Sequence, residues 1–147
     1  MSRKYIRTAV AVFCLATPGV LATGFLSGCR SSCVSQESAE YPSPDGKVKA
    51  VLYEKECGDT SAATTTLALL QPDATFSIDK IEESEIVYAA DSNHGDAATD
   101  AKGMLKMTVR WSDAQHLVVV TTPSARNFVL KMQHGPTQIS YTLPLMN

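Results

Sequence analysis

Alternation of apolar and polar residues is the main pattern along this chain. It is clearest over Leu105–Trp111, where every second residue is apolar, as in a strand that buries one face. Lys47–Glu54 alternates in the same way, and Thr65–Leu70 is β-branched and then aliphatic, which favours a buried strand. Similar short runs predict further strands at Ile86–Ala89, His116–Thr122, Asn127–Met132 and Ile139–Leu143.

Turn residues separate these runs. Ser43-Pro44-Asp45-Gly46 has proline second and glycine fourth, which is typical of a type I turn. Ile78 and Ile81 share one face of a short helical turn, and residues 91–103 form a long polar loop. About seven short strands without a long helix predict one all-β domain, an antiparallel β-sandwich or a small barrel. Its predicted bounds are residues 42–147.

The first 28 residues have a different composition. Met1–Arg7 carries three basic residues, Ala9–Ala16 is apolar, and small residues follow Pro18-Gly19. A basic start, an apolar middle and small residues at the end are the parts of a secretory signal peptide. We therefore expect residues 1–28 to direct export and then to be removed.

The signal segment ends in Leu26-Ser27-Gly28-Cys29, which resembles the lipobox of bacterial lipoproteins. The resemblance implies cleavage before Cys29 and lipid on its thiol, so that a membrane is the first partner of the mature chain. The alternative is an uncleaved membrane helix over Thr8–Phe25, which Pro18-Gly19 would break near its centre.

The residues after Cys29 bear on location. Arg30 follows it, and no aspartate stands there as in the inner-membrane retention signal of enteric bacteria. If the host has two membranes, we expect the outer one, with the protein facing the periplasm. Residues 29–41 are rich in serine and glutamate with little periodicity, which predicts a short flexible tether.

If the chain is a lipoprotein, its four cysteines differ in role. Cys14 leaves with the signal peptide and Cys29 receives lipid, so Cys33 and Cys57 remain. An exported, oxidising compartment favours a disulfide between them. Two reduced thiols or a metal pair are the alternatives, although two sulfurs with no nearby histidine or second cysteine pair make a poor zinc site.

Charge argues against one class of partner. Three of the thirteen basic residues precede Cys29 and all fifteen acidic residues follow it, which leaves ten basic residues against fifteen acidic ones, a net charge of −5. Nucleic acid binding depends on clustered lysine and arginine. We therefore expect no nucleic acid partner.

The polar loop beginning at Asp91 is the best candidate for a ligand site. Asp91, Asn93 and Asp96 offer oxygen ligands, and His94 adds a nitrogen that suits a transition metal. An EF-hand is excluded because its twelfth position is Lys102, where a glutamate is required. The alternative is an ordinary turn, in which the side chains bond the local backbone and Gly95 has a positive φ.

No catalytic motif is present. Nucleophilic hydrolysis needs a serine or cysteine beside a base, and no Gly-x-Ser-x-Gly occurs. We predict that the protein is not an enzyme and has no cofactor. The remaining polar and aromatic candidates are interpreted structurally: His94, His116 and His134 as surface residues, Glu82, Glu83 and Glu85 as a solvated face, and Trp111 as a core residue rather than a sugar-stacking one.

Several motifs together resemble a family of small uncharacterised bacterial lipoproteins. Its members carry an SPDGK-x-KAVV stretch, a Cys-Gly-x-Thr turn, an Asp-x-Asn-His-Gly loop and a Val-x-Trp strand. The resemblance implies a lipoprotein with a β-rich domain, and the family has no established activity to carry over. The matching residues are Ser43–Lys47, Lys49–Val51, Cys33, Cys57, Gly58, Thr60, Asp91, Asn93–Gly95, Val109–Trp111, Ala125, Arg126, Ile139 and Tyr141.

Two functional hypotheses follow. The first is a membrane-anchored envelope lipoprotein that acts without catalysis, in interaction with another envelope protein or in envelope maintenance. The second is a small-ligand or divalent-ion binding domain that uses the Asp91–Asp100 loop.

Overall fold

The computed structural model of the protein describes residues 33–58 and 63–143. The predicted signal peptide, the lipid site Cys29, residues 30–32, residues 59–62 and residues 144–147 lie outside these ranges. Two 3-10 helices, Ile78–Lys80 and Asn93–Gly95, accompany the strands. The strands are β1 (Cys33–Pro42), β2 (Lys49–Cys57), β3 (Thr64–Leu70), β4 (Ile86–Asp91), β5 (Thr108–Asp113), β6 (His116–Val120), β7 (Arg126–Leu130), β8 (Gln133–His134) and β9 (Thr137–Thr142).

The strands form two sheets. The first sheet has the order β1-β2-β3-β4-β7, and all of its neighbours are antiparallel. The second has the order β5-β6-β9-β8, in which β6 and β9 run parallel and the other pairs are antiparallel. One apolar core lies between the sheets, and over the described ranges neither sheet closes into a barrel. The all-β prediction is confirmed, with the β-sandwich as its architecture.

β1 differs from the predicted flexible tether. Residues 33–42 pair with β2 along their length, and Glu40 accepts a 2.6 Å hydrogen bond from the Nζ atom of Lys49. An edge strand tolerates a Ser- and Glu-rich sequence because one of its sides faces solvent. Of the predicted tether, only residues 29–32 therefore precede β1.

The Cys33–Cys57 disulfide is confirmed. The two cysteines are direct partners in the β1–β2 ladder, with Cα atoms 4.1 Å apart. The bond thus joins the first described residue to the last residue of β2, and it fixes the beginning of β1 to the sheet.

Strand alternation builds the core between the sheets. Val109, Leu117 and Val119 point inward from the second sheet, against Leu52 and Leu67 of the first. The predicted strand over Leu105–Trp111 begins only at Thr108, since the residues before it fold over the end of the core. The amide of Leu105 there donates to the hydroxyl oxygen of Thr65 at 2.8 Å.

Two aromatic side chains join the sheets at opposite margins. The indole nitrogen of Trp111 donates to the carbonyl oxygen of Tyr41 at 2.9 Å, from β5 to β1. On the other side, the Tyr141 hydroxyl donates to the carbonyl oxygens of Val87 and Lys131, at 2.9 and 3.1 Å. Burial, with a smaller effect of Tyr88, raises the pKa of Tyr141 above its ordinary value, so this hydroxyl remains a donor.

The first sheet is also covered on its outer face, the face turned away from the second sheet. Residues 71–85, here called the covering segment, bring Phe76, Ile78 and Ile81 against Val51, Tyr53, Ala68 and Leu70. The rings of Tyr53 and Phe76 have centroids 5.2 Å apart, and burial raises the pKa of Tyr53 to about 12. The predicted helical turn lies in this segment as Ile78–Lys80.

The predicted turn at Ser43 is confirmed. The Gly46 amide donates to the Ser43 carbonyl at 2.9 Å, and Gly46 has φ +69°, which favours glycine.

Within the described residues, neither 3-10 helix has the length and apolar character that a membrane span requires.

We predict that Tyr141→Phe lowers the free energy of unfolding by about 1–2 kcal/mol, because the bifurcated hydrogen bond of its hydroxyl to the Val87 and Lys131 carbonyls is lost. Tyr41→Phe is the matched control, since its hydroxyl has no hydrogen bond among the described residues. Urea denaturation of the two variants would measure the difference, and equal stabilities would contradict a role for the Tyr141 hydroxyl in joining the sheets.

Cys57→Ser should lower the free energy of unfolding by about 3–4 kcal/mol, the chain-entropy value for a loop of this length. The bridged residues are 24 positions apart. Cys33→Ser and the double variant should lose the same amount, since all three lack one bond. Denaturation under non-reducing conditions tests this, and additive losses would show that the cysteines act separately.

Candidate functional site

Asp91, the first residue of the predicted ligand loop, is engaged by an arginine. It ends β4, is 3% exposed, and pairs in register with Arg126 of β7. The arginine donates to both carboxylate oxygens, through Nε at 3.2 Å and through Nη2. The amide of Asn93 donates to the same carboxylate at 2.8 Å. A metal ion at Asp91 would have to displace these donors.

The electrostatics of Asp91 agree with this arrangement. Its pKa is lowered, first by the hydrogen bonds from Arg126 and further by the Asn93 amide and the positive charges of Arg126 and His94, while burial opposes the shift. The carboxylate is therefore charged and paired near neutral pH, and it links edge strand β7 to its neighbour β4.

The rest of the loop is a compact turn. Asn93, His94 and Gly95 have φ values of 48°, 61° and 97°, a run in the left-handed region, and the amides of Gly95 and Ala97 both donate to the Ser92 carbonyl. Asp96 accepts from Asn93 at 3.5 Å. The positive φ expected for Gly95 is confirmed.

Asp100, at the far end of the loop, closes a second turn by accepting from the amides of Lys102 and Met104. Over residues 33–58 and 63–143, no three His, Cys, Asp or Glu side chains lie together as metal ligands.

His116 lies between an acid and an amide at the surface. Its Nδ1 is 2.8 and 3.0 Å from the two carboxylate oxygens of Asp113, and its Nε2 is 2.8 Å from Oε1 of Gln138. Both partners of the ring are acceptors, so the protonated ring fits best. The pKa of His116 is raised, first by Gln138 and then by Asp113. The nitrogen that a general base would use is bonded to Gln138, so this arrangement fixes a hairpin and a neighbouring strand.

The other predicted polar candidates lie apart. His94 is in the Asp91 loop, whereas His134 is in β8 beside the Ser43 turn, in a cavity of about 290 Å³. Glu85 accepts from the amide of Glu82 at 2.9 Å, within an exposed turn. Trp111 packs against the core but is only half-buried, because its indole reaches the edge of β1.

The larger of the two main cavities among the described residues is a groove of about 700 Å³ on the outer face of the first sheet, here called the outer groove. It begins where the covering segment ends. Its position was not predicted, because no stretch of sequence indicates which part of a sheet a later segment covers. The floor and apolar walls are formed by Thr64, Thr66, Ile86, Ala89, Phe128 and Val129.

Basic side chains stand at the rim of the outer groove. Lys55 lies beside Cys57 on β2, and Lys131 lies at the opposite side after β7. Lys131 donates to the carbonyl oxygens of Glu83 and Ser84, at 3.1 and 2.8 Å, which holds the end of the covering segment in place. Two lysines thus flank an apolar floor.

Phe128 gives the outer groove an exposed aromatic wall. Its side chain is 56% exposed, and the guanidinium carbon of Arg126 lies 5.3 Å from the ring centroid. Phe128 is the additional residue where the β4–β7 register shifts, which turns it toward the groove beside Val129. A bulge of this kind leaves no distinct sequence signal.

A second cavity, of about 640 Å³, opens at the end of the sandwich. Tyr41 and Leu52 of the first sheet, together with Met104, Met107 and Val120, line it. It is the margin of the main core where the loop before β5 folds over the sheets. The outer groove, by contrast, is separate from that core and lies at the disulfide end of the sheet.

We predict that acid destabilises the native protein less in Asp91→Asn than in the wild type. The folded-state pKa of Asp91 is lowered from 3.8, so its contribution is complete above that value and is lost as pH falls through the folded-state pKa. Urea denaturation between about pH 2 and 6 measures the slope. Asp96→Asn, on the same loop with Asp91 intact, should keep the wild-type slope; a wild-type slope in Asp91→Asn would contradict the pairing.

Comparison of the chain with protein-family models, with curated proteins and with solved structures found no match. The motif resemblance to small bacterial lipoproteins therefore stays a prediction.

Proposed function

We propose that the protein is a lipid-anchored lipoprotein of the bacterial cell envelope whose β-sandwich binds a partner close to the membrane and carries out no catalysis. The observation that carries this proposal is the Cys33–Cys57 disulfide. A disulfide is typical of an exported protein, and this one begins four residues after the cysteine of the lipobox-like segment.

The short connection between Cys29 and β1 would determine how far the domain lies from the membrane. Residues 30–32 separate Cys29 from the first residue of β1. Because β1 is bonded to β2 at Cys33, the lipid would hold the rigid sheet near the bilayer surface rather than at the end of a long linker. Two acyl chains provide stable attachment where a single chain is marginal.

The location follows from the sequence around Cys29. Arg30 occupies the position at which an inner-membrane retention signal would have aspartate. In a host with two membranes, the proposed address is the outer membrane, with the domain in the periplasm.

A binding role is supported by the surface. The outer groove combines an apolar floor with basic residues at its rim, a combination typical of ligand and partner sites. The acid–histidine pair at Asp113 and His116 is occupied by Gln138 on its second nitrogen, so it supports no nucleophilic mechanism. Protein interaction and envelope maintenance are the roles that fit a binding domain at this address.

Cys29→Ser should release the protein from the membrane fraction, because the thiol that accepts the lipid is absent. Cell fractionation with a carbonate wash is the measurement. Cys14→Ser is the matched control, since it removes a cysteine of the same segment and leaves the anchor site intact. If the Cys29 variant stays with membranes after the wash, the lipid-anchor proposal fails.

A further inference from the structure

We propose that the outer groove binds an anionic phospholipid of the membrane that holds Cys29, with an acyl chain on the apolar floor and the headgroup at the basic rim. This inference rests on the proposed function, because it depends on the anchor to bring the groove to a bilayer. It names the partner class for a site that the sequence did not predict.

The groove lies within a short distance of the lipidated cysteine, Cys29. Four residue steps join Cys29 to Cys33, and a fully extended chain spans at most about 3.6 Å per residue, or about 14 Å in all. The Cα atom of Cys57, which lines the groove, is 4.1 Å from that of Cys33. The groove therefore begins within about 18 Å of the lipidated residue, a distance that includes the headgroup layer of a bilayer.

The orientation of the first sheet is the second argument. Cys33, Cys57, Thr64 and Arg126 lie at the same end of the sheet, because their strands pair in antiparallel register there. The covering segment packs over the opposite end of the outer face, on Val51 and Leu70. The outer groove therefore reaches the end of the sheet that holds the disulfide, where Cys57 and Thr64 line it.

The chemistry of the groove is the third argument. Ala89, which is 8% exposed, lies at the bottom of the groove beside the half-buried Val129, and the aromatic wall of Phe128 is 56% exposed. Aromatic side chains next to cations are favoured at the boundary between acyl chains and headgroups, where the ring is apolar and the cation meets phosphate.

The rim of the groove is basic, whereas the mature chain as a whole is acidic. Ten basic and fifteen acidic residues give the mature chain an acidic balance, yet Lys55 and Lys131 line the groove with Glu83 as the one acid among the lining residues. Arg126 lies over the ring of Phe128 but is paired with Asp91, so the local positive excess comes from the two lysines against Glu83. An anionic headgroup complements this local excess.

The volume suits one lipid chain and its headgroup. A groove of about 700 Å³ lies within the range of small-molecule sites, roughly 300–1,000 Å³. The Lys55 ammonium group is available to a headgroup because, unlike that of Lys131, it makes no side-chain hydrogen bond or ion pair among the described residues.

Fluorescence quenching in proteoliposomes tests the proposal. The lipidated full-length protein carrying Phe128→Trp is reconstituted in phosphatidylcholine vesicles that contain either dibromo-phosphatidylglycerol or the same amount of dibromo-phosphatidylcholine. The wild-type protein gives the baseline from Trp111. We expect bromine on phosphatidylglycerol to quench the introduced indole about twofold more than bromine on phosphatidylcholine, since each basic residue near the surface favours anionic lipid.

Val34→Trp is the control for simple proximity. Val34 is 69% exposed, is adjacent to Cys33 on edge strand β1, and pairs with Glu56 on the opposite face of the sheet from the groove; it therefore lies nearer the anchor than Phe128 of β7. Its introduced indole should show no preference between the two lipids. An equal preference at both positions would overturn the proposal, because the whole domain would then lie in anionic lipid.

Lys55→Glu, combined with Phe128→Trp, tests the headgroup contact. The twofold preference should disappear or reverse, because removal of one cation near an anionic surface weakens the attraction for anionic lipid by about fivefold and reversal of the charge weakens it further. Lys102→Glu makes the same change on an exposed loop and should keep the preference. Retention of the preference in Lys55→Glu, or absence of any quenching above the Val34 control, would overturn the inference; the latter result would indicate a protein segment as occupant.

The outcome is distinct from that of the anchor experiment. All quenching measurements use protein that is already attached to vesicles, so their failure leaves the lipoprotein proposal standing. Retention of Cys29→Ser on membranes would instead remove the premise of both.

Discussion

Burial of the first sheet on both faces is the constraint on which this structure depends. β3 has six successive buried residues after Thr64, so neither of its faces can be left to solvent. The second sheet covers one face and the covering segment covers part of the other. The segment packs on Val51, Tyr53, Ala68 and Leu70, and the outer groove lies beside it on the same face. The candidate site is thus a consequence of how the core is completed.

Polar contacts fix the geometry that apolar packing leaves open. Apolar contact alone would allow two sheets to slide, whereas a hydrogen bond has a short range and a preferred direction. Trp111 and Tyr141 each reach from the second sheet to backbone carbonyls of the first, at opposite margins. Asp91 and Arg126 act within the first sheet, where they join its last two strands. Together these contacts set the positions of β1 and β7, the two edges between which the groove lies.

Sequence reasoning succeeded where a local pattern decides the outcome. The strands around Lys49–Cys57 and Thr64–Leu70, the Ser43 turn and the disulfide were all predictable, because alternation, turn chemistry and cysteine number act through neighbours or simple counting. The sequence predicts a flexible tether over residues 29–41, most of which form β1. An edge strand with a polar sequence resembles a linker when its partner strand is unknown. The oxygen-rich sequence of the Asp91 loop predicts a ligand site. In the structure, however, the Asp91 carboxylate is paired with Arg126, which is 35 residues away in the chain.

The sequence by itself determined the all-β class, the approximate strand positions and the pairing of Cys33 with Cys57, because these depend on residue type and short-range order. Tertiary structure alone decided that β6 and β9 run parallel, that Asp91 faces an arginine, and that Phe128, Lys55 and Lys131 surround one groove. These groups come from strands far apart in the chain. These groups come together because of the order of strands in the sheet and the position of the covering segment, and no local pattern of residues predicts either.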